Sequence, residues 1–377
     1  MSDNQDGRSP SPAVQKPGAH SLSEILSQPH TWSNCLKELD RGGILPQIAR
    51  DFEDASEWIF VGCGSSYYVA QSAAISWTTL TGMKARAVPA SELLLFPDSV
   101  LTGAENLAAV VISRSGQTSE ALRAAEVLEK DKAVRTLGVS CASDRPLEQI
   151  ASNTLMLAPA DEESTVMTRS FTSMLLGLQY LASHMAGNHA FGKSLHKLPS
   201  ATQALLQAFH HRVRDFVHEN QFADYIFLGQ GPFFGIASEC ALKVTEMSLS
   251  YAQNFHALEF RHGPKSVVGP ETLVTFLLSE TGYEEECEVL QEIKSLGGTT
   301  LTIANRADDR ARACSDLLIE FGFDVPELAR LAPYTLAGQL LGLYTGLKKG
   351  VDPDNPRHLT RVVILDDSSA AAEPSAD

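Results

Sequence analysis

The chain has 377 residues, of which 44% are hydrophobic and 20% charged, and its formal net charge is −16 at pH 7. This length predicts two or three domains, and the composition is typical of a globular protein. The acidic charge argues against a nucleic-acid-binding protein, since no Lys/Arg cluster supplies the basic face that a phosphate backbone requires. No apolar run reaches the roughly 18 residues of a membrane helix, so we expect no membrane-spanning segment.

Both ends of the chain are predicted to be disordered. Residues 1–24 are polar and rich in Pro, Ser and Gly, and they lack the apolar centre of a signal peptide. Residues 366–377 have a similar composition. The six cysteines show no CxxC pair and no metal-ligand spacing. We therefore expect reduced thiols, no bound metal and a cytoplasmic protein.

Between these ends, the sequence predicts a helical segment over residues 25–52, an α/β domain over 53–190, a connecting helix over 191–221 and a second α/β domain over 222–365. The apolar runs WIFVG, AAVVIS, TLGVS and TLMLA predict strands in the first domain, and YIFLG, LVTFLLS, TLTIA and LLIEF predict strands in the second. Helical patterns separate most of these runs, which indicates a parallel, doubly wound sheet in each domain.

Three landmarks of the first domain recur in the second, in the same order and at a nearly constant spacing. FVGCGSS, which starts at Phe60, corresponds to FLGQGPF, which starts at Phe227. SRSGQTSE corresponds to SETGYEEE, and TLGVSCASD corresponds to TLTIANRAD. This agreement predicts a tandem duplication of one domain, with a period far longer than that of a solenoid repeat.

Two loops of the first domain are rich in glycine and small hydroxyls. GCGSS contains Ser65 and Ser66, and SRSGQTSE contains Ser113, Ser115 and Thr118. Each follows a predicted strand, where ligands of doubly wound sheets bind, and each precedes a helix whose free amides favour an anion. The loops therefore predict a phosphate site, and the alternative is that Ser113, Ser115 and Thr118 are only N-cap and turn residues.

The second domain differs at the corresponding loop. SETGYEEE has Glu280 in the place of Arg114 and adds glutamates at residues 284–286. Because these charges would repel a phosphate, only the first domain is expected to hold one. GCGSS is not a nucleotide fingerprint, since Tyr67 stands where GxGxxG requires glycine and no GK[ST] follows.

Six segments, in the same order, resemble the double sugar-isomerase (SIS) domain family. The resemblance is strongest to the isomerase half of glucosamine-6-phosphate synthase and its stand-alone relatives, and it covers residues 30–365. The segments are GCGSSYYVAQSAA, SRSGQTSEALRAAE, TRSFTSMLLGLQYLA, GQGPFFGIASECALKVTEMS, ALEFRHGPKSVV and NPRHLTRVVIL. The resemblance implies two tandem SIS domains, each a flavodoxin-like α/β/α sandwich, in a homodimer. No cofactor is expected.

The resemblance also implies roles for individual residues. Glu246 would be the general base, and His262, contributed by the neighbouring subunit, would open the sugar ring. Arg114 stands where the synthase has glutamine and would add charge to the phosphate contact. The implied phosphate ligands of a hexose 6-phosphate are Ser65, Ser66, Ser113, Arg114, Ser115 and Thr118. Weaker substrate-binding candidates are Thr165, Arg361, Glu239 and Lys243.

The residues themselves support part of this assignment. Glu239, Lys243 and Glu246 are spaced to line one stripe of a helix, although Glu239 and Lys243 also fit a solvated, salt-bridged face. Moving a proton between C1 and C2 of an open-chain sugar needs a carboxylate base, which suits Glu246. Proton exchange near neutral pH suits His262, whose alternative is a turn residue before Gly-Pro. Neighbouring candidates that could orient it are His256 and Glu259.

Two departures from the synthase bear on the reaction. The first cysteine is Cys35, whereas the synthase begins a glutaminase domain with a nucleophilic cysteine, so glutamine-dependent transfer is not expected from this chain. Arg361 stands where the synthase has a lysine that forms a Schiff base, and a guanidinium cannot form that imine. The sequence therefore predicts a hexosamine-6-phosphate deaminase or aldose–ketose isomerase.

Two other functions stay open as alternatives. One is a synthase-like isomerase or a deglycase that acts on a sugar-amine adduct. The other is a non-catalytic phosphosugar sensor. The sensor is disfavoured because no helix-turn-helix domain precedes the fold and both Glu246 and His262 are present.

Overall fold

A computed structural model of the chain describes residues 16–103 and 106–365. The helices are α1 (Ala19–Arg41), α2 (Ile44–Asp51), α3 (Ser65–Thr81), α4 (Ala90–Leu95), α5 (Pro97–Leu101), α6 (Ser119–Glu126), α7 (Pro146–Ile150), α8 (Arg169–Met185), α9 (His189–Glu219), α10 (Phe233–Ser248), α11 (Tyr283–Ser295), α12 (Asp309–Ala313) and α13 (Leu331–Lys348). The strands are β1 (Glu57–Gly62), β2 (Lys84–Pro89), β3 (Leu107–Ile112), β4 (Arg135–Ser140), β5 (Asn153–Met156), β6 (Asp224–Gly229), β7 (Tyr251–Phe255), β8 (Thr272–Leu277), β9 (Thr299–Ala304) and β10 (Leu317–Glu320).

The strands form two parallel sheets of five strands each. The first sheet has the order β2-β1-β3-β4-β5, and the second has the order β10-β9-β8-β6-β7. When the strands of the second sheet are counted from β6, both sheets share the flavodoxin-like order 2-1-3-4-5. This shared order supports the duplication that the sequence predicts.

All eight apolar runs predicted as strands are strands in the structure. The sequence analysis missed β2 and β7, which form one edge of each sheet. Their sequences, KARAVP and YAQNF, mix polar and apolar side chains, and most of these side chains are only partly buried. Edge position alone does not explain the omission, since the other two edge strands, β5 and β10, were predicted from their apolar runs. The polar residues within β2 and β7 interrupt any continuous apolar run.

The two units meet through α3 and α10, and α13 packs against the opposite side of α10. At the first contact, the Ser72 hydroxyl donates to the carbonyl oxygen of Pro232 at 2.7 Å. At the second, a Cβ atom on Gly342 would lie 2.7 Å from the carbonyl oxygen of Lys243. Only glycine lets α13 approach so closely, and this approach fixes the helix that carries Lys243 and Glu246.

The structure corrects the boundary of the predicted N-terminal tail, because α1 begins at Ala19 and not after residue 24. The Gly18 amide donates to Asp352 at 2.9 Å, and the Ser21 amide donates to Asp354 at 2.7 Å. Two carboxylates from the far end of the chain thus stabilise the first turn of α1. The other residues predicted to be disordered, 1–15 and 366–377, lie outside the described residues.

The last described residues also depart from the predicted domain boundary. Residues 351–365, which we call the C-terminal strap, form no helix or strand and reach back to the first unit. The Ser119 amide donates to the carbonyl oxygen of Val363 at 3.2 Å. The Leu365 amide donates to the Ser119 hydroxyl at 2.9 Å. The strap therefore belongs, by its contacts, partly to the first unit.

Among the described residues, every helix is too short or too polar to span a bilayer. All six cysteines are free thiols, and four of them, Cys35, Cys141, Cys240 and Cys287, are buried.

Candidate functional site

A cleft of about 190 Å³ lies at the carboxyl ends of β1 and β3. This is the point where the strand order of the first sheet reverses, and ligands of such sheets bind there. The second unit contributes α10 to the cleft, and the C-terminal strap also lines it. The residues predicted from sequence that line the cleft are Ser65, Ser66, Arg114, Ser115, Thr118, Thr165, Lys243, Glu246 and Arg361.

Three predicted site residues are not part of the cleft lining. Ser113 is buried behind the loop, and its hydroxyl donates to the Thr118 hydroxyl at 3.4 Å. Glu239 is buried next to Lys243. His262 is exposed and does not line the cleft of its own chain. Its expected role in the site of a neighbouring subunit stays a prediction.

The hydroxyl-rich loops start two helices, but their hydroxyls do not cap them. The N-cap residue of α3 is Gly64, so neither Ser65 nor Ser66 occupies that position. The N-cap residue of α6 is Thr118, and its side chain makes no capping hydrogen bond. Helix capping therefore does not explain these hydroxyls, but a turn role applies to Ser115, whose hydroxyl accepts from the Gln117 amide at 3.3 Å. Both loops lie at helix N-termini, where an anion is favoured.

The second loop has a backbone shape that requires glycine. Gly116 has φ of +62°, and a Cβ atom there would lie 2.7 Å from Cβ of Arg145. Both the left-handed conformation and the close approach exclude a larger residue. Gly116 thus fixes the turn that presents Ser115 and Thr118 to the cleft.

The guanidinium of Arg114 is directed at protein atoms. Its Nη1 lies 3.4 Å from the carboxylate of Glu162 and donates to the carbonyl oxygen of Thr165 at 3.1 Å. Its Nη2 donates to the carbonyl oxygen of Arg361 at 2.6 Å. Three of the five N–H groups of the side chain are thus bound within the protein, which favours a structural role over the direct phosphate contact expected from the sequence.

On the opposite wall, α10 presents a buried cluster of charges. Both Glu239 and Lys243 are fully buried. The alternative of a solvated, salt-bridged face is therefore wrong, since α10 is enclosed between α3 and α13. The Lys243 ammonium lies 2.5 Å from Glu246, 3.4 Å from Glu239 and 3.3 Å from the Ser65 hydroxyl. One lysine thus connects the predicted base to the first hydroxyl-rich loop.

The surroundings determine the charges in this cluster. Burial raises the pKa of Glu239 to about 8, and the carboxylate of Glu246 adds to the increase. Burial lowers the pKa of Lys243, but the two carboxylates outweigh it, so the pKa lies above its ordinary value. The cluster is thus a cation held between two acids. Of the three side chains, Glu246 is the most accessible, with 18% of its side chain exposed towards the cleft.

Sequence reasoning missed Glu162, which organises the loop between β5 and α8. One carboxylate oxygen accepts from the Thr168 amide at 2.6 Å, the Thr168 hydroxyl at 2.8 Å and the Ser170 amide at 3.2 Å. This loop carries Thr165, which lines the cleft. The segment DEES showed only an acidic loop, and nothing in its pattern indicated that Glu162 would be buried.

Comparison with known families finds a match within the first unit. Residues 51–184 match the family model of the SIS domain. Both hydroxyl-rich loops lie inside the matched residues, whereas Lys243 and Glu246 lie in the second unit. The prediction of a second SIS domain rests on the shared strand order and is not part of this match.

Curated relatives match most of the chain. It is 28% identical over 361 residues to glutamine–fructose-6-phosphate aminotransferase (isomerizing) from Chlamydia caviae, an alignment that covers 92% of this chain and 58% of the relative. It is 29% identical over 364 residues to the aminotransferase of the same name from Chlamydia abortus, with the same two shares. The chain therefore spans 58% of the length of these relatives.

Solved structures resemble the whole described fold. Glucosamine-6-phosphate deaminase from Thermotoga maritima has a TM-score of 0.75 and 28% identity, and the match covers 92% of this chain and 100% of that chain. Tagatose-6-phosphate ketose/aldose isomerase from Escherichia coli has a TM-score of 0.80 and 24% identity, with 93% and 98% covered. At 24% identity, the likeness to the Escherichia coli isomerase concerns the fold alone.

Proposed function

We propose that the protein is a SIS-type phosphosugar enzyme that converts an amino sugar 6-phosphate into a ketose 6-phosphate and ammonia. The observation that carries the proposal is that one cleft combines two hydroxyl-rich helix N-termini with the partly exposed carboxylate of Glu246. The similarity to the Thermotoga maritima glucosamine-6-phosphate deaminase, over the full length of that protein, supports the same reaction.

In this proposal the phosphate binds at the first turns of α3 and α6. Hydroxyls of Ser65, Ser66, Ser115 and Thr118 donate to the phosphate oxygens, and the positive ends of both helices favour the negative charge. Lys243 adds a full positive charge at the Ser65 side of the cleft. These local donors are needed because the chain as a whole has a net charge of −16.

The chemistry begins with an open-chain amino aldose. Glu246 removes the proton from C2 and leaves an enolamine, and return of that proton to C1 gives an imine at C2. Water adds to C2 and ammonia leaves, so one amino sugar phosphate and one water give one ketose phosphate and one ammonia. Lys243 holds the carboxylate of Glu246 in place at 2.5 Å throughout these transfers.

The decisive experiment is a proton NMR time course with glucosamine 6-phosphate and galactosamine 6-phosphate, combined with an enzymatic assay for ammonia. We expect ammonia and ketose phosphate in equal amounts. Glu246→Gln should lower kcat by about 10²- to 10⁴-fold, because the base is lost. As a control, Glu284→Gln changes an exposed glutamate of the second unit and should leave kcat unchanged.

Two results would contradict deamination. Interconversion of aldose and ketose phosphates without release of ammonia would show an isomerase that uses the same base. Binding of these phosphosugars without any turnover would show a sensor.

The proposal includes a homodimer in which His262 of the partner subunit opens the sugar ring. His262 is exposed on the second unit, where another subunit can reach it. If each site takes Glu246 and His262 from different chains, a dimer of Glu246→Gln with His262→Ala holds one intact site. Mixed and reassembled variants should then regain about a quarter of the wild-type activity, although each alone is inactive. Absence of recovery in verified mixed dimers would place both residues in the site of one chain.

A further inference from the structure

Arg114 joins three segments that lie far apart in the chain. It stands in the loop after β3, it pairs with Glu162 before α8, and it donates to the carbonyl oxygen of Arg361 in the C-terminal strap. Its side chain is only 6% exposed. A planar guanidinium suits this position because it offers several donors in fixed directions.

Both the backbone of Arg114 and its guanidinium are fixed by hydrogen bonds within the first unit. Its backbone carbonyl oxygen accepts from the Cys141 amide at 3.0 Å and from the Ser140 hydroxyl at 3.1 Å. Its partner Glu162 is fully buried and is fixed by three donors at the start of α8. The position of the guanidinium, and hence of the carbonyl that it binds, is thus set by the first unit.

The strap is anchored at its start, where Asp352 and Asp354 bind α1. Its later part, residues 357–365, is held over the cleft by few contacts. It contains no helix or strand, and Thr360, Arg361 and Val363 line the cleft. Besides the Arg114 bond, this later part is bound to the first turn of α6 through Ser119. The side chain of Arg361 pairs with Asp161 at 2.6 Å, but both side chains are largely exposed. Segments held by a few partly exposed hydrogen bonds open at low cost in free energy.

We propose that Arg114 is a positioning residue that fastens the C-terminal strap over the phosphosugar cleft. It thereby links closure of the cleft to the loop that holds the phosphate. The reason is geometric: Arg114 lies between Ser113 and Ser115 in that loop, and its Nη2 binds the strap directly. Closure shields the enolamine from bulk water, so this role rests on the proposed function, whereas the contact between Arg114 and the strap does not.

The variant Arg114→Lys distinguishes fastening of the strap from direct phosphate binding and from simple packing. Lysine keeps a positive charge beside the buried carboxylate of Glu162, but one ammonium cannot replace the guanidinium fork that reaches both Thr165 and Arg361. Arg114→Met would leave Glu162 buried without its cation and would test folding more than closure. Arg357→Lys, an exposed substitution on the strap itself, is the matched control.

Three measurements give the expected result. In Arg114→Lys, hydrogen exchange of strap peptides should be at least about tenfold faster than in the wild type. The dissociation constant of inorganic phosphate should stay within about twofold, since a residue that only positions the strap makes no charge-assisted contact with phosphate. With glucosamine 6-phosphate as substrate, kcat should fall about tenfold while KM changes little. Arg357→Lys should behave as the wild type in all three.

The opposite pattern would overturn the proposal. A phosphate dissociation constant raised at least about tenfold, with unchanged strap exchange, would make Arg114 a direct phosphate ligand. If neither the hydrogen exchange of the strap nor the dissociation constant of phosphate changes, Arg114 contributes only to packing. If the wild-type protein turns over no phosphosugar but the strap of Arg114→Lys exchanges faster, the proposed reaction fails and the role of Arg114 in holding the strap stands.

Discussion

The two α/β units share a strand order, but their corresponding loops differ in what their hydrogen-bond donors face. The donors of one loop face an open cleft, and those of the other bind carboxylates of the same unit. After β3, Ser115 and Thr118 face a cleft that is open to a ligand. After β8, the corresponding loop is filled by carboxylates of its own unit. The Ser279 amide donates to Glu286 at 2.7 Å, and the Ser279 hydroxyl donates to the other carboxylate oxygen at 2.9 Å. One loop is available to an external anion, and the other already holds an internal one.

A second carboxylate completes this arrangement. Glu327 accepts from the Thr281 hydroxyl at 2.8 Å and from the Thr281 amide at 3.4 Å. Glu280 is neutralised by Arg330 at 2.7 Å. The sequence predicted that acidic residues would repel a phosphate from this loop. The structure adds that carboxylates are hydrogen-bonded to its donors, so the duplicated unit keeps its loop folded without a ligand.

The substitution with the largest expected effect gives the first loop one residue of the second loop and should remove the difference in anion binding between them. Thr118→Glu gives the first loop the residue that the second has as Glu284. A carboxylate in the cleft should raise the KM for glucosamine 6-phosphate and the dissociation constant of inorganic phosphate by about a hundredfold, because it repels the phosphate at short range. Titration calorimetry and steady-state kinetics check this result, and a melting curve verifies folding.

The reciprocal change is the matched control. Glu284 is exposed and pairs with Arg310, so Glu284→Thr should alter neither phosphate affinity nor the stoichiometry of one phosphosugar per chain. A second phosphate bound by Glu284→Thr would show that charge alone separates the two loops. Unchanged affinity in Thr118→Glu would remove the first loop from the phosphate site.

A smaller effect concerns the internal anion of the second unit. Burial raises the pKa of Glu286 from 4.5 to about 7, although its bonds to Ser279 act in the opposite direction. The folded protein therefore holds this proton to a higher pH than the unfolded chain does. The resulting stabilisation is complete below pH 4.5 and is lost as the pH rises through about 7.

Glu286→Gln removes this titration and keeps a side chain that can bond to Ser279. Relative to the wild type, its free energy of unfolding should increase between pH 4.5 and 8 by up to about 3 kcal/mol. Urea unfolding at several pH values measures the difference. If the free energy of unfolding changes with pH in the same way in both proteins, Glu286 is not the titrating group. The difference between the two loops would then not be electrostatic.

Local pattern was enough for much of the fold and for one wall of the site. Continuous apolar runs identified eight of the ten described strands, and their repetition indicated two similar units. Glycine and hydroxyl residues directly after β1 and β3 located Ser65, Ser66, Ser115 and Thr118, since strand ends converge in a parallel sheet. The stripe on α10 followed from helical spacing, which placed Lys243 and Glu246 on one face.

Pattern failed where burial and contacts are not recorded in the neighbouring residues. Strands β2 and β7 lack an apolar run, and most of their side chains are only partly buried. The sequence contains a glutamate at the same loop position in both units, Glu120 and Glu286, yet only the structure shows that Glu286 turns inward to Ser279.

The sequence by itself determined the α/β class, the presence of two similar units and the chemical types of side chain in the cleft, because these follow from periodicity and from residues adjacent in the chain. Only the tertiary structure decided that Lys243 is buried between two acids, that Arg114 binds Glu162 and the strap, and that α1 starts where Asp352 and Asp354 bind it. Burial and hydrogen-bond partners depend on how segments pack in three dimensions, and no local pattern records which distant segment will supply them. Arg114, for example, binds Glu162 48 residues away and Arg361 247 residues away.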